Sequence, residues 1–341
     1  MDIILKSFKN IYIYLNSKYK VNKIERLYNK SIKQNLNQKK TINIYSVGSN
    51  GIFYTNKLRK NIKEGLENKY FFNFTSNNPD YLIYDVSDCN YLNSKFKNAI
   101  KIAYFTENQI PDFNKADYAI GFHNLNYLDR YFKKTTLIWK FEKQYLKIKN
   151  KNFIIEREKV LSNKIRKKFC AAVISNSRST DGFRKLFINE LNKYKIIDMG
   201  GKYMNNIGNR VKNKIKFLSS YKFSIAMENS EGQGYVSEKI LDSFIAGTIP
   251  IYYGGYMIDE YLNPKSFILI RDQKDLKEKI EYIKKIDNDD ILYHNLLKEN
   301  LFIDDNLPII TKKEKIEFFD HIFEQEKNLA KRIDNYHFNL N

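Results

Sequence analysis

The chain has 341 residues and a mass of 40.7 kDa, long enough for two domains, and its 43% hydrophobic and 15% aromatic content supports real cores. A net charge of +20 and a pI near 9.5 favour anionic partners, among them nucleotide-sugars, acidic lipid surfaces and nucleic acid. Two unclustered cysteines, Cys89 and Cys170, fit a reducing cytosol better than a disulfide framework; with no apolar run of membrane-span length and no signal peptide after Met1, a cytoplasmic protein, soluble or peripheral, is expected.

Residues 1–40 carry ten Lys/Arg against two Asp/Glu, with short apolar clusters such as Ile11 to Leu15. This basic extension reads either as a solvated helical appendage or as a peripheral attachment to anionic membrane. From 41 to 165 strand and helix patterns alternate. Strands are predicted at Ile42–Val47, Tyr81–Val86, Ile100–Thr106 and Tyr118–Phe122, with a helix near Leu58–Tyr70. A charged stretch around Arg157–Lys168 leads into a second alternating unit, 166–310. It holds strands at Ala171–Ser175, Ile196–Met199, Phe223–Met227, Ile249–Tyr253 and Phe267–Ile270. Helices are predicted near Phe183–Tyr194, Lys214–Tyr221, from about Ser237 to a stop at Gly247, and over Leu276–Ile286. A charged amphipathic helix over Lys312–Arg332, with Ile316, Phe319, Ile322 and Phe323 on one face, forms the last part, 311–341. Such alternation predicts parallel sheets flanked by helices, here an α/β fold of two Rossmann-like domains with a cleft between them.

The most informative segment is YKFSIAMENSEGQGYVSEKILDSFIAGTIPIYYG, residues 221–254. A strand, a glycine-containing turn, a helix and a second strand make a nucleotide-binding βαβ unit, because unpaired N–H groups at the helix start attract phosphate. Beyond that, the string resembles the donor-binding motif of the α1,3/4-fucosyltransferases, which transfer L-fucose from GDP-fucose to a sugar hydroxyl. Tyr221, Lys222, Phe223, Glu228, Asn229, Tyr235, Val236, Ser237, Glu238, Lys239, Pro250 and Gly254 stand in register with the family pattern. The likeness continues through Asn263–Phe267 and looks closest to bacterial members that decorate lipopolysaccharide. It covers roughly residues 97–300 and implies a GT-B arrangement, with the donor in the C-terminal domain and the acceptor in the N-terminal one. The donor would be GDP-fucose, with no cofactor, and the acceptor a glycan of the N-acetyllactosamine type, which contains N-acetylglucosamine.

Transfer from a nucleotide-sugar requires neutralising the departing diphosphate and deprotonating the acceptor hydroxyl. Lys239, at a predicted helix start, adds a point charge to the helix dipole. Arg184, in the first turn of another helix after the polar turn 176–182, can grip phosphate oxygens with its fork of donors. The resemblance assigns it to the diphosphate. Glu238 would repel phosphate, so it suits ribose or fucose hydroxyls, or the positive charge that develops on the sugar. Asn229 and Tyr235 supply neutral hydrogen bonds to the donor. Glu228 has two readings, a second sugar contact or a turn residue capping backbone N–H groups.

The catalytic base is expected on the acceptor side. Glu107 follows the predicted strand Ile100–Thr106, and a carboxylate there faces the cleft of a parallel sheet. The strings TENQIPDFN and DYAIGF, within 106–122, match the family segment around its proposed general base, so the resemblance gives that role to Glu107. Relatives carry Gly where Thr106 stands. Asp287-Asn288-Asp289 has the spacing of a metal-binding pair but reads as a solvated turn. His321 and Glu324 lie one helical turn apart, and two ligands do not make a metal site; His123, His294 and His337 stand alone. No metal is expected, and an inverting transfer without one is the reading. The alternatives are a GT-B transferase for another nucleotide-sugar, a non-catalytic carbohydrate-binding relative, and a basic nucleic-acid binder, for which no recognition motif is present.

Overall fold

The computed structural model describes residues 39–48, 52–86, 89–105, 107–133, 168–177, 182–256, 258–260, 262–303 and 312–332. The basic extension before residue 39, most of the charged stretch at 157–168, and Thr106 lie outside the described residues. The first sheet is built from β1 (Lys40–Val47), β2 (Tyr70–Phe74), β3 (Tyr81–Tyr84), β4 (Ile100–Tyr104), β5 (Tyr118–Gly121) and β6 (Tyr131–Lys133). Its strands run in the order β2-β1-β3-β4-β5-β6, and every pairing is parallel. The second sheet is β7 (Lys168–Ala172), β8 (Asp198–Met199), β9 (Tyr221–Met227), β10 (Ile249–Tyr253) and β11 (Ile268–Leu269). Its order is β11-β10-β9-β7-β8, again parallel throughout.

The helices are α1 (Ile52–Leu66), α2 (Phe183–Asn192), α3 (Lys214–Leu218), α4 (Lys239–Ile245), α5 (Leu276–Asn288), α6 (Asp290–Lys298), α7 (Lys312–Glu324) and α8 (Lys327–Ala330). Both sheets therefore step first to one side of their opening strand and then to the other. That reversal opens a crevice at the carboxyl ends, between β1 and β3 and between β7 and β9, where ligands of such sheets bind.

Strand β9 shows why the second sheet is covered on both faces. All seven of its residues are buried. Phe223, Ile225 and Met227 point into the core that holds Phe187 and Ile188 of α2 and Ile283 of α5, whereas Ala226 joins Val236, Ile240 and Leu241 on the other side. In the first domain Leu58, Ile62 and Leu66 of α1, spaced four apart, pack on Ile42 and Ile44.

Three sequence expectations are corrected by the structure. The helix read as 58–70 ends at Leu66, and Tyr70–Phe74 forms a strand beside β1. Aromatic residues at alternate positions pack on a pleated surface better than on a continued helix. The helix read as 312–332 breaks after Glu324 and restarts at Lys327. Asp287 is not in a solvated turn: it lies in α5, buried, and pairs with Lys195 and Lys222, while Asp289 caps α6 by accepting from the Leu292 N–H.

The destination of α7 was not legible locally. Although it follows the second domain in the chain, it packs on the first. Phe319, Ile322 and Phe323 are fully buried against the first sheet, and the Phe323 ring meets Tyr70, Phe72 and Tyr81 edge-on. The hydroxyl of Tyr70 donates to Asp320 at 2.6 Å, and Lys69 pairs with Asp320 and Glu324.

Candidate active site

The crevice between β7 and β9 is spanned by one side chain. Gly182, with φ of 70°, turns the chain into α2 through a conformation L side chains rarely adopt, which brings Arg184 into the first helical turn. Arg184 is 2% exposed. Its Nη1 donates to Asn229 Oδ1 at 2.7 Å, in the loop after β9, and its Nη2 to the Asn176 carbonyl at 2.6 Å, in the loop after β7. A guanidinium is thereby fixed at the carboxyl end of the sheet, where a phosphate would enter.

Glu228 follows directly on β9 and is 1% exposed. Its carboxylate accepts from the Ser237 N–H and the Ser237 hydroxyl, each at 2.7 Å, and from the Lys239 ammonium. Of its two readings, the capping of backbone N–H groups is the one its hydrogen bonds display. One N–H just before the start of α4, that of Ser237, is thus taken by this carboxylate. Gly254 is required beside it, since a Cβ at this φ of +152° would fall 2.5 Å from Glu228 Cγ. Lys239 opens α4 and also donates to Ser237 Oγ at 2.9 Å, so its charge is balanced by a buried carboxylate while about a quarter of the side chain stays exposed. Glu238 sits at the N-cap, half-buried, and its side chain does not cap the helix.

Tyr235 is buried between the loop after β9 and the first domain. Its ring meets that of Phe122 edge-on at 5.5 Å, and its hydroxyl donates to Glu107 Oε2 at 3.3 Å. Burial, followed by the charge of Glu228, pushes the phenol far above its ordinary pKa, so it remains a donor. Glu107 itself is exposed, beyond the end of β4. The structure thus brings Glu107 and Tyr235 into contact, joins Arg184 to Asn229, and joins Lys239 to Glu228. Sequence reasoning left three participants without a role: the Asn176 carbonyl, Ser237, and Asn108, which was visible in the string TENQIPDFN only as a motif letter.

No group of three or more His, Cys, Asp or Glu side chains suited to a metal ion occurs among the described residues. His321 faces Asp129 at 3.1 Å and Glu324 faces Lys69, so the two do not converge.

Two family models divide the chain at this cleft. Residues 51–139 match the N-terminal domain of alpha-(1,3)-fucosyltransferase FucT, and 163–300 match the C-terminal domain of glycosyltransferase family 10, the fucosyltransferases. The chain belongs to glycosyltransferase family 10. The N-terminal match begins well before residue 97, where the sequence motifs start. Alpha-(1,3)-fucosyltransferase FucT of Helicobacter pylori is 35% identical over 233 residues, 60% of this chain and 48% of that protein. A 4-galactosyl-N-acetylglucosaminide 3-alpha-L-fucosyltransferase 9 of Pan troglodytes is 29% identical over 46% of this chain and 44% of its own length. The matches thus span about half the length, or less, of these curated relatives. A crystal structure of an alpha1,3-fucosyltransferase with GDP-fucose superposes with a TM-score of 0.67 at 28% identity, covering 88% of this chain and 96% of the other. The two-domain architecture is the GT-B arrangement of those structures.

Proposed function

We propose that this family 10 protein is an inverting α1,3-fucosyltransferase that moves L-fucose from GDP-fucose to a hydroxyl of a glycan containing N-acetylglucosamine. The observation that carries the reading is Arg184, buried at the strand-order reversal and bonded to both crevice loops. In this reading the guanidinium and the Lys239 ammonium bind the diphosphate and stabilise the charge that grows as GDP departs. Asn229, Tyr235 and Glu228 are assigned to the donor pocket, Glu228 acting through the Ser237 and Lys239 groups it holds. Glu238 supports the fucose hydroxyls or the developing positive charge at the anomeric carbon.

Glu107 accepts the acceptor hydroxyl's proton as the oxygen attacks the anomeric carbon from the face opposite GDP, which inverts that centre. The Tyr235 hydroxyl holds one carboxylate oxygen, leaving the other for the proton. The two cations take the place of a divalent metal. Cytoplasmic location, with the basic residues 1–40 against an anionic membrane surface, is the setting we infer from charge and cysteine usage; no helix among the described residues is long and apolar enough to cross a membrane. The test is to incubate the protein with a panel of GDP- and UDP-sugars and N-acetyllactosamine, and to detect product by mass. A fucosylated product from GDP-fucose alone supports the reading, and transfer from a different nucleotide-sugar overturns it.

A further inference from the structure

The loop that follows β9 does more than line the donor crevice: it is keyed into the other domain at two points. At the first, Asn108 Nδ2 donates to Ser230 Oγ and to the Glu231 carbonyl, each at 2.7 Å. Its Oδ1 is buried with no hydrogen-bond partner among the described residues, so the amide is oriented by its two donated bonds. It packs against Gly232, where a Cβ would fall 2.4 Å from Oδ1. At the second point the Asn124 N–H donates to the Gln233 carbonyl at 3.1 Å, and a Cβ on Gly234, at φ of +85°, would come within 2.6 Å of the Phe122 carbonyl. Two glycines in Glu231-Gly232-Gln233-Gly234 therefore admit the close approach of two acceptor-domain loops.

We propose that Asn108 is a positioning residue for Glu107, and that its seat on Ser230, Glu231 and Gly232 ties the base to the donor loop. Asn108 is the next residue after Glu107, so anchoring its amide fixes the backbone that carries the carboxylate. Tyr235, at the far end of the same donor loop, holds the carboxylate itself. The base is thus fixed at both ends by one segment of the opposite domain. Loss of either hold moves Glu107 relative to the anomeric carbon, and a displacement of about 1 Å can cost about 100-fold in rate. Arg184 and Lys239 keep anchors that Asn108 does not touch, the Asn176 carbonyl for one and the Glu228 carboxylate for the other.

The inference rests on the fucosyltransferase reading, and four proteins test it: wild type, Asn108→Ala, Gly232→Ala and the double variant. Asn108→Ala and Gly232→Ala should each lower kcat about 10–100-fold, with the affinity for GDP, measured by calorimetry, staying within about threefold. In the double variant the amide that a Cβ at position 232 would strike is gone, so the second substitution should add little to the first. A purely structural role would instead lower melting temperature and GDP affinity together. Multiplicative losses in the double variant, or GDP affinity falling in parallel with kcat, would overturn the proposal. Hydrogen exchange supplies a readout without turnover: Asn108→Ala should speed exchange in peptides spanning 107–112 and 229–236 alike, and a change confined to 107–112 sinks the coupling. A wild type that transfers no fucose while the exchange pattern holds would reject the assigned activity and keep the contact.

Discussion

Replacing Arg184 with Lys keeps a positive charge in the crevice and removes the fork. In the structure the guanidinium makes two hydrogen bonds in different directions, 2.7 Å to Asn229 Oδ1 and 2.6 Å to the Asn176 carbonyl, from a site that is 2% exposed. Charge-assisted bonds of this kind contribute about 1.5–3 kcal/mol each. A lysine ammonium reaching one acceptor gives up the bond to the other, so the tie between the two loops is lost. Toward the reaction, removal of one preorganised electrostatic donor costs about 2–4 kcal/mol, which at 1.36 kcal/mol per decade is a loss of roughly 30- to 1000-fold in kcat/KM. The assay is initial-rate fucose transfer to N-acetyllactosamine at varied GDP-fucose, with GDP affinity measured separately by calorimetry. Arg184→Lys should lower both GDP affinity and kcat/KM. If the variant melts at a lower temperature yet binds GDP and turns over like wild type, Arg184 is a strut between two loops and the diphosphate must be held elsewhere.

Glu107→Gln keeps the shape and removes the proton acceptor, so turnover should fall about 10²–10⁴-fold while GDP-fucose affinity holds; unchanged turnover at saturation with weaker donor binding would make Glu107 a binding residue. Activity should survive excess EDTA, and complete loss restored by Mg²⁺ or Mn²⁺ would show the cation assignment to be wrong. Phe323→Ala empties a fully buried site among three aromatic rings of the first domain and should destabilise it by about 3–5 kcal/mol, read as a lower urea midpoint. For Asp287, burial raises the carboxyl pKa, but the Lys195 and Lys222 ammoniums more than reverse this and hold it below the usual aspartate range. The native state then binds this proton less readily than the unfolded chain. The carboxylate therefore stabilises above its unfolded pKa of about 4, an effect lost as pH falls through the lower folded value. Asp287→Asn should flatten the loss of stability on acidification, and an unchanged acid limb would show that the charge is not what matters there.

The segments that were legible in sequence are those whose signal is local. Strand β10 was read with its observed bounds because Ile249–Tyr253 is an uninterrupted apolar run between Gly247 and Gly254. Arg184 was legible because a strand, a polar turn and a helix start fix its place within a few residues. Glu228 was ambiguous because its partner groups, Ser237 and Lys239, enter only when the turn folds back. Asp287 was misread for the same reason: Lys195 and Lys222 lie far from it in sequence, and only the packed sheet turns a polar run into a buried pair. The Asn108 contact joins residues 122 positions apart, beyond any spacing rule.

The return of α7 to the first domain has a consequence for biosynthesis. The core beside β1–β5 takes Phe319, Ile322, Phe323 and Ala330 from near the end of the chain. The first domain therefore lacks part of its own interior until synthesis has passed through the second domain and reached Ala330. In that interval Tyr70, Phe72 and Tyr81 present an uncovered aromatic surface, while the second domain has all of its own strands and completes first. A fragment ending before residue 312 should aggregate on expression, whereas a separately expressed segment 166–310 should fold. The order of maturation then runs against the order of synthesis.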